Sequence, residues 1–363
     1  MAYTIAEIAQ ALGLTPVGDT GLKVTGVAEP ALAGPDEIAL AMKPDYAARL
    51  GEGQARAAML WHDADWESFG LKAAILSPRP RYALADLSQM MDPGPGYGAG
   101  RHPSAVIDPS AELAEDVAVG PLAVIDAGAK IGAGSVIGPQ VHIGAEVTIG
   151  EGAMIHAGAR IGARVTIGKR FICQPGAVIG GDGFSFVTPE ASDVEVARKD
   201  ISGETARHSQ QWARIYSLGA VTLGDDCEVG ANACIDRGTI RDTVIGDGTK
   251  VDNLVQVGHN CVIGKDCLLC GCAGLAGSIT IGNSVVLAGQ VGVSDNITIG
   301  DNVIAGGASV ILSNVPAGRA VLGYPAMKMD AHVESYKGIR RLPRLFRDVA
   351  ELKKAVSKLT GND

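Results

Sequence analysis

From residue 107 onward, every sixth residue is aliphatic. The series runs Ile107, Leu113, Val119, Ile125, Ile131, Ile137, Ile143, Ile149, Ile155, Ile161, Ile167, Cys173 and Ile179, with Cys173 the single departure. Eight of these thirteen are followed at once by Gly. The pattern returns at Leu223, Val229 and Ile235, slips by four residues, and then continues from Ile245 to Ile311. A period of six fits neither the 3.6 of an α-helix nor the 2 of an alternating strand; it is the signature of a hexapeptide β-helix. Each short strand supplies an inward aliphatic side chain, and the Gly after it suits a tight corner. Small or β-branched residues two positions earlier, such as Val141, Val147, Ala153 and Val165, suit the same interior. Composition agrees: with 49 Gly in 363 residues, 47% hydrophobic and 4% aromatic, the chain is neither disordered nor built on Phe and Trp.

Two interruptions break the period. Residues 181–215, starting Gly181-Asp182-Gly183-Phe184-Ser185-Phe186, form a long insertion that carries two of the five Phe residues. Such an insertion on a rigid scaffold is either a binding loop or a plain excursion. The four-residue slip within Asp236–Asp242 is expected as a small bulge on one coil. Solenoids need their ends covered, and both flanks lack the hexad. Residues 1–98 are expected to form a small α/β domain, with a helix over Thr4–Leu12 capped by Thr4 and short β pieces such as Ala73–Leu76. The Gly- and Pro-rich run Asp92–Gly98 marks its boundary. The solenoid then occupies 99–318 and a helical extension 319–363. In that extension Leu342, Leu345, Val349, Leu352, Val356 and Leu359 are spaced 3-4-3-4-3, the a/d seam of a coiled coil. The seam packs either on other helices beside a trimeric solenoid or back on its own solenoid.

A net charge of −9 argues against a basic nucleic-acid-binding surface. No long uninterrupted apolar run and no secretory signal is visible, so a cytoplasmic protein without a membrane span is expected. Between 328 and 358, nine Lys/Arg face four Asp/Glu, a local excess of five positive charges. This basic tail either meets an acidic partner or is a solvated helix face. Seven Cys disfavour a disulfide framework. The cluster Cys267, Cys270 and Cys272 raises the question of a metal, but Cys227, Cys261 and Cys267 fall at small inward positions of the hexad, so no metal site is expected.

The stretch Val251-Asp252-Asn253-Leu254-Val255-Gln256-Val257-Gly258-His259-Asn260 carries the chemistry. His259 lies two positions beyond inward Val257, where side chains leave the prism, and an outward imidazole in a groove can act as general base. Gly277 follows three hexads later, one full coil if three hexads make a turn. Adjacent parallel strands lie about 4.8 Å apart, so its unshielded N–H stands next to the imidazole and can face a developing oxyanion. The pair points to acyl transfer without a Ser or Cys nucleophile.

The repeat resembles the left-handed parallel β-helix of the hexapeptide-repeat acyltransferases, in which three hexads make one triangular coil. The runs Gly180-Gly181-Asp182-Gly183-Phe184, Ile235-Asp236-Arg237-Gly238, and Asp252-Asn253 with Gln256-Val257-Gly258-His259-Asn260 are more specific. They resemble the UDP-3-O-acylglucosamine N-acyltransferases of lipid A biosynthesis, along essentially the whole chain. The resemblance implies a mainly β protein with an N-terminal α/β uridine-binding domain, and a homotrimer with sites in grooves between neighbouring solenoids. It implies an (R)-3-hydroxyacyl thioester on acyl carrier protein as donor, the C2 amine of a UDP-linked 3-acylated glucosamine as acceptor, and no cofactor beyond the donor's phosphopantetheine. His259 matches the family's general base and the Gly277 N–H its oxyanion donor. Asp252 is expected to orient or charge-stabilise the His. Asn253, Gln256 and Phe184 are expected at the substrate. In Ile38-Ala39-Leu40-Ala41-Met42-Lys43-Pro44-Asp45-Tyr46, Tyr46 is expected to stack on uracil, while Leu40 and Lys43 stand where relatives have Phe and Asn. Lys43 is then a candidate for a phosphate. A second groove His of some relatives falls near Asn296.

Other functions fit less of the chain. A small-sugar acetyltransferase using acetyl-CoA explains the repeat and His259, but not the N-terminal domain, insertion and basic tail together. A metal-dependent hydratase needs converging His ligands, and the spacing of His142 and His156 gives them no shared face. In a non-catalytic scaffold His259 would be dispensable.

Overall fold

In the computed structural model, described for residues 2–190, 211–323 and 326–360, the hexads close into a parallel β-helix. Part of the expected insertion, residues 191–210, therefore lies outside the described residues. The chain divides into two compact units, Met1–Tyr97 and Gly98–Asp363.

In the second unit, short strands, most of two residues, stack into three parallel sheets of ten, ten and nine strands among the described residues. Successive strands of one sheet lie three hexads apart: Val124 pairs with His142, and His142 with Arg160. Across the insertion the step grows to 56, from Cys173 to Val229, and across the slip it is 22, from Val229 to Val251. Register is regained each time, because the interior accepts only the aliphatic phase. Each hexad sends two side chains inward, the aliphatic residue and the one two positions before it, as with Val147 and Ile149. Cys173, Cys227, Cys261 and Cys267 share this interior. Burial pushes the Cys173 thiol up to about 12 and that of Cys261 to about 11, so both are protonated, inert filling. Among the described residues no group of three or more His, Cys, Asp and Glu could hold a metal ion.

The strained corner expected at the Gly after each aliphatic residue belongs to a different position. The left-handed residue comes two positions later and is often not Gly, as at Gln140 (φ 56°), Glu146 (φ 59°) and Asn260 (φ 62°). Its N–H is satisfied by the preceding coil, as Glu146 donates to the Ala127 carbonyl at 2.9 Å. The Gly after the aliphatic residue is required by close approach instead. A Cβ on Gly150 would fall 2.7 Å from the Gly168 carbonyl carbon and oxygen in the next coil.

The N-terminal unit holds a five-stranded sheet in the order Thr15–Gly18, Ala73–Ser77, Ala57–Trp61, Glu37–Leu40, Gly26–Ala28. Its first pairing is antiparallel and the rest are parallel. Both faces are covered. Ala57 and Met59 pack with helices Ile5–Ala11 and Pro80–Met91, while Ala58 and Leu60 pack on the other side with Leu50 and Leu71. Thr4 caps the first helix as expected, in a capping box with Glu7.

The C-terminal helix spans Met329–Thr360, starting well before the heptad seam and passing through Pro343. All six seam residues are exposed, so the seam does not pack back on its own solenoid. No helix of the described residues is long and apolar enough to cross a membrane.

Candidate active site

His259 owes its position to a stacking rule and a departure from it. The strand Gln256–Val257 pairs with Cys234–Ile235 in the preceding coil and with Gly274–Leu275 in the next. His259 and Asn260 form the vertex that follows. The slip bulges out of the preceding coil and grips Asn260. The Thr239 N–H donates to Asn260 Oδ1 at 3.1 Å, and the Arg241 guanidinium to the Asn260 carbonyl at 2.8 Å. Thr243 Oγ1 accepts the Asn260 N–H at 2.9 Å.

Asn260 in turn sets the imidazole, its Oδ1 lying 2.8 Å from His259 Nδ1. A backbone amide can only donate, so the Asn260 atom facing Thr239 is the oxygen, and Nδ1 must carry the hydrogen. That leaves Nε2 with the lone pair, the tautomer a general base needs.

The ring sits in a slot between two glycines. A Cβ on Gly183 would fall 2.7 Å from His259 Cβ, and one on Gly277 would fall 2.7 Å from both Cε1 and Nε2. Gly183 is anchored by its N–H, which donates to Ser217 Oγ at 3.0 Å. Gly277 is held by the next vertex, where the Ser278 N–H donates to the His259 carbonyl at 2.8 Å. The structure thus brings His259 and Gly277 together as the coil arithmetic expects. It also gives Gly277 a second requirement, room for the ring.

A groove of about 670 Å³ opens over this slot. Gln256, Phe184 and Asn296 line it, so the first two expected substrate residues share the site with His259. Phe184 is 86% exposed and meets Phe186 edge-on at 5.0 Å, with the Arg214 guanidinium 5.0 Å from the Phe186 ring. Asp252 does not join His259 within one chain. It follows Val251, one hexad earlier, and so belongs to a different vertex of the prism. Its carboxylate accepts the N–H groups of Gly271 at 2.8 Å and Asn253 at 2.7 Å. Asp252 and Asn253 line a second groove of about 550 Å³ with Lys250 and Cys270, and within one chain Asn260 orients His259. Tyr46 and Lys43 lie in the N-terminal unit. Tyr46 is 53% exposed and Lys43 precedes the short helix Pro44–Ala47 without capping it.

Asp236 is one groove residue without an expected role. It follows Ile235, the strand partner of Val257, so across the 22-residue step of the slip it lies one coil before Gly258. Burial raises its carboxyl above the usual range, opposed by a hydrogen bond from Gln256 and the charge of His259.

Comparisons with known proteins agree with this architecture. The family model described as bacterial transferase hexapeptide (six repeats) matches residues 128–163 and 242–277. The UDP-3-O-acylglucosamine N-acyltransferase of Ruegeria pomeroyi is 63% identical over 358 residues, 99% of each chain. That of Paracoccus denitrificans is 62% identical over 359 residues, 99% of this chain and 98% of its own. Among solved structures, Arabidopsis UDP-N-acetylglucosamine acyltransferase is 25% identical with a TM-score of 0.52, covering 62% of this chain and 71% of its own. Solenoid and groove define a hexapeptide-repeat acyltransferase. The chain belongs to the UDP-3-O-acylglucosamine N-acyltransferase family.

Proposed function

We propose that this chain moves an (R)-3-hydroxyacyl group from acyl carrier protein to the C2 amine of a UDP-linked 3-O-acylated glucosamine in lipid A biosynthesis, acting in the cytoplasm without a cofactor. The carrying observation is His259 Nε2 set against Gly277 in a groove, in a chain 62–63% identical end to end to N-acyltransferases named for that acceptor. The amine nitrogen attacks the thioester carbonyl carbon, and the carbonyl electrons move to oxygen, where the Gly277 N–H stabilises them. His259 Nε2 takes the proton from the attacking nitrogen. Collapse breaks the C–S bond, and the imidazolium returns the proton to the departing thiolate of phosphopantetheine. Gln256 and Phe184 hold the reacting portion; within the N-terminal unit, Tyr46 and Lys43 are the candidates for a uracil and a phosphate.

The working form is a homotrimer. Val251 and Val257 end consecutive strands of one coil, so the Asp252 groove and the His259 groove open from different vertices at one height. Threefold packing of parallel solenoids sets one groove of each copy against the other groove of its neighbour, and supplies Asp252 and Asn253 from the partner. The exposed helix seam and its basic excess suit helix pairing within the trimer and an acidic carrier protein.

The test is transfer from hydroxyacyl carrier protein to the UDP-3-O-acylglucosamine acceptor, wild type beside His259→Ala. Wild-type turnover, with a loss of about 10²- to 10⁴-fold in a folded variant, is expected. No turnover by wild type refutes the substrate pair, and an undiminished variant refutes the base.

A further inference from the structure

Among the described residues, the groove over His259 is lined by three carboxylates, Asp182, Asp236 and Asp295, and by no Lys or Arg. That is a poor lining for a nucleotide diphosphate and a good one for a cation. Two of the three carboxylates have other partners. Asp182 faces the Arg214 guanidinium at 3.7 Å, and Asp295 accepts from Ser294 Oγ at 3.3 Å and Asn296 Nδ2 at 3.0 Å. Asp236 differs in place and surroundings. It lies at the end of the strand Cys234–Asp236, half-buried, on the coil beneath the His259 vertex, with Gln256 from the coil above engaging it. Its charge and that of the imidazole are within electrostatic reach of each other.

We propose that Asp236 is the residue that selects an amine as acyl acceptor, receiving the acceptor nitrogen as an ammonium group beside His259. This deepens the acyl-transfer reading above and depends on it. An amine reaches a neutral site largely protonated and carries positive charge again once it has added to the carbonyl. A carboxylate beside the base stabilises both species. A hydroxyl acceptor carries no such charge before its proton leaves, and gains nothing from it. The steps balance. The ammonium loses one proton to His259, which passes it to solvent, and the free amine adds to the carbonyl. The same imidazole then takes the second proton and delivers it to the leaving thiolate. Asp236 neither gives nor takes a proton in these steps, and Gln256 hydrogen-bonds its carboxylate. The acidic lining also orients the substrate, with the amine end inward and the diphosphate away from it.

The experiment measures binding, without donor, of the UDP-linked amino acceptor and of its isostere with a hydroxyl at C2, to full-length wild type and Asp236→Asn. Acyl-transfer rates with the amino acceptor are measured in parallel. Wild type is expected to bind the amine about 10- to 100-fold more tightly than the hydroxyl isostere, the scale of one charge-assisted hydrogen bond. The gap closes in Asp236→Asn through loss of amine affinity alone, and the transfer rate falls with it. Equal wild-type affinity for the two ligands overturns the proposal with no variant needed, as does an unchanged preference in Asp236→Asn. Asp236→Glu, which keeps the charge, restores part of the preference; equal loss of both ligands in Asn and Glu variants marks a merely structural residue and also overturns it. Absence of acyl transfer by wild type refutes the parent reading instead, so the two failures are distinguishable.

Discussion

The vertex after Ile149 and the vertex after Val257 obey the same hexad rule and serve opposite ends. On the first, Gly150 lets backbone lie against the backbone of Gly168, and its neighbours along the same edge, Gly132 and Gly246, do likewise. The second has Gly258 at the equivalent position, but then adds His259 and an Asn260 gripped by the extra residues of the slip. At Gly150 the regular vertex leaves no room for a Cβ, because backbone of the next coil fills the space. The site vertex shows that chemistry enters where one coil departs from the period and its neighbours withdraw their Cβ atoms, as Gly183 and Gly277 do.

That contrast can be broken by substitution. Among substitutions of residues other than His259, the largest effect is expected for Gly277→Ala. Its Cβ would meet Nε2, so the ring must move from the place where Asn260 holds it, and kcat falls about 10²-fold, the order attached to a displaced catalytic group, while thermal stability changes little. A steady-state assay beside a melting curve reads both. Asn260→Ala removes the acceptor for Nδ1 and leaves the Thr239 N–H without a partner. Losing one such bond costs about 1–2 kcal/mol, or roughly a tenfold fall in kcat. An unchanged rate would mean that the slip serves shape alone. Gly150→Ala is expected to leave kcat untouched and to lower unfolding stability by about 1–3 kcal/mol, the usual cost of overpacking. Denaturant unfolding measures it, and a loss of activity there would erase the distinction between the two vertices.

Much of this was legible in the chain because a solenoid turns sequence spacing into distance. The inward phase identified Cys227, Cys261 and Cys267 as filling, and the three-hexad step joined Gly277 to His259. A three-hexad step backward misses Asp236, because the slip lengthens that step to 22 residues, from Ile235 to Val257, and a carboxylate with no expected role gave no reason to correct for it. Within one chain Asp252 lies in a groove other than that of His259, because its separation from that residue exceeds one hexad. Nearness along the chain therefore turned a vertex and carried it to another face. Asn260 could not be read as the orienting group, since its grip comes from a bulge whose shape no period specifies. The corner glycines were explained by the wrong physics. Their role is set by the distance to the next coil, a tertiary property that a residue's own conformational preference does not contain.

The slip also bears on how such a protein can change. Strand pairing takes a longer step across it, from Val229 to Val251, and returns to three hexads in the next coil, from Val251 to Leu269. The slip is therefore absorbed within about one coil: its trace is an irregular pairing of Gly181 with Asp236, and the regular ladder resumes beyond it. Cores that pack in three dimensions transmit a local edit to many neighbours. Here an edit spreads one rung and stops. The loop that grips Asn260 can be lengthened, shortened or exchanged almost independently of the structure that supports it, so a new preference for acceptor or geometry can be tried at a single vertex while the remaining coils stay as they are.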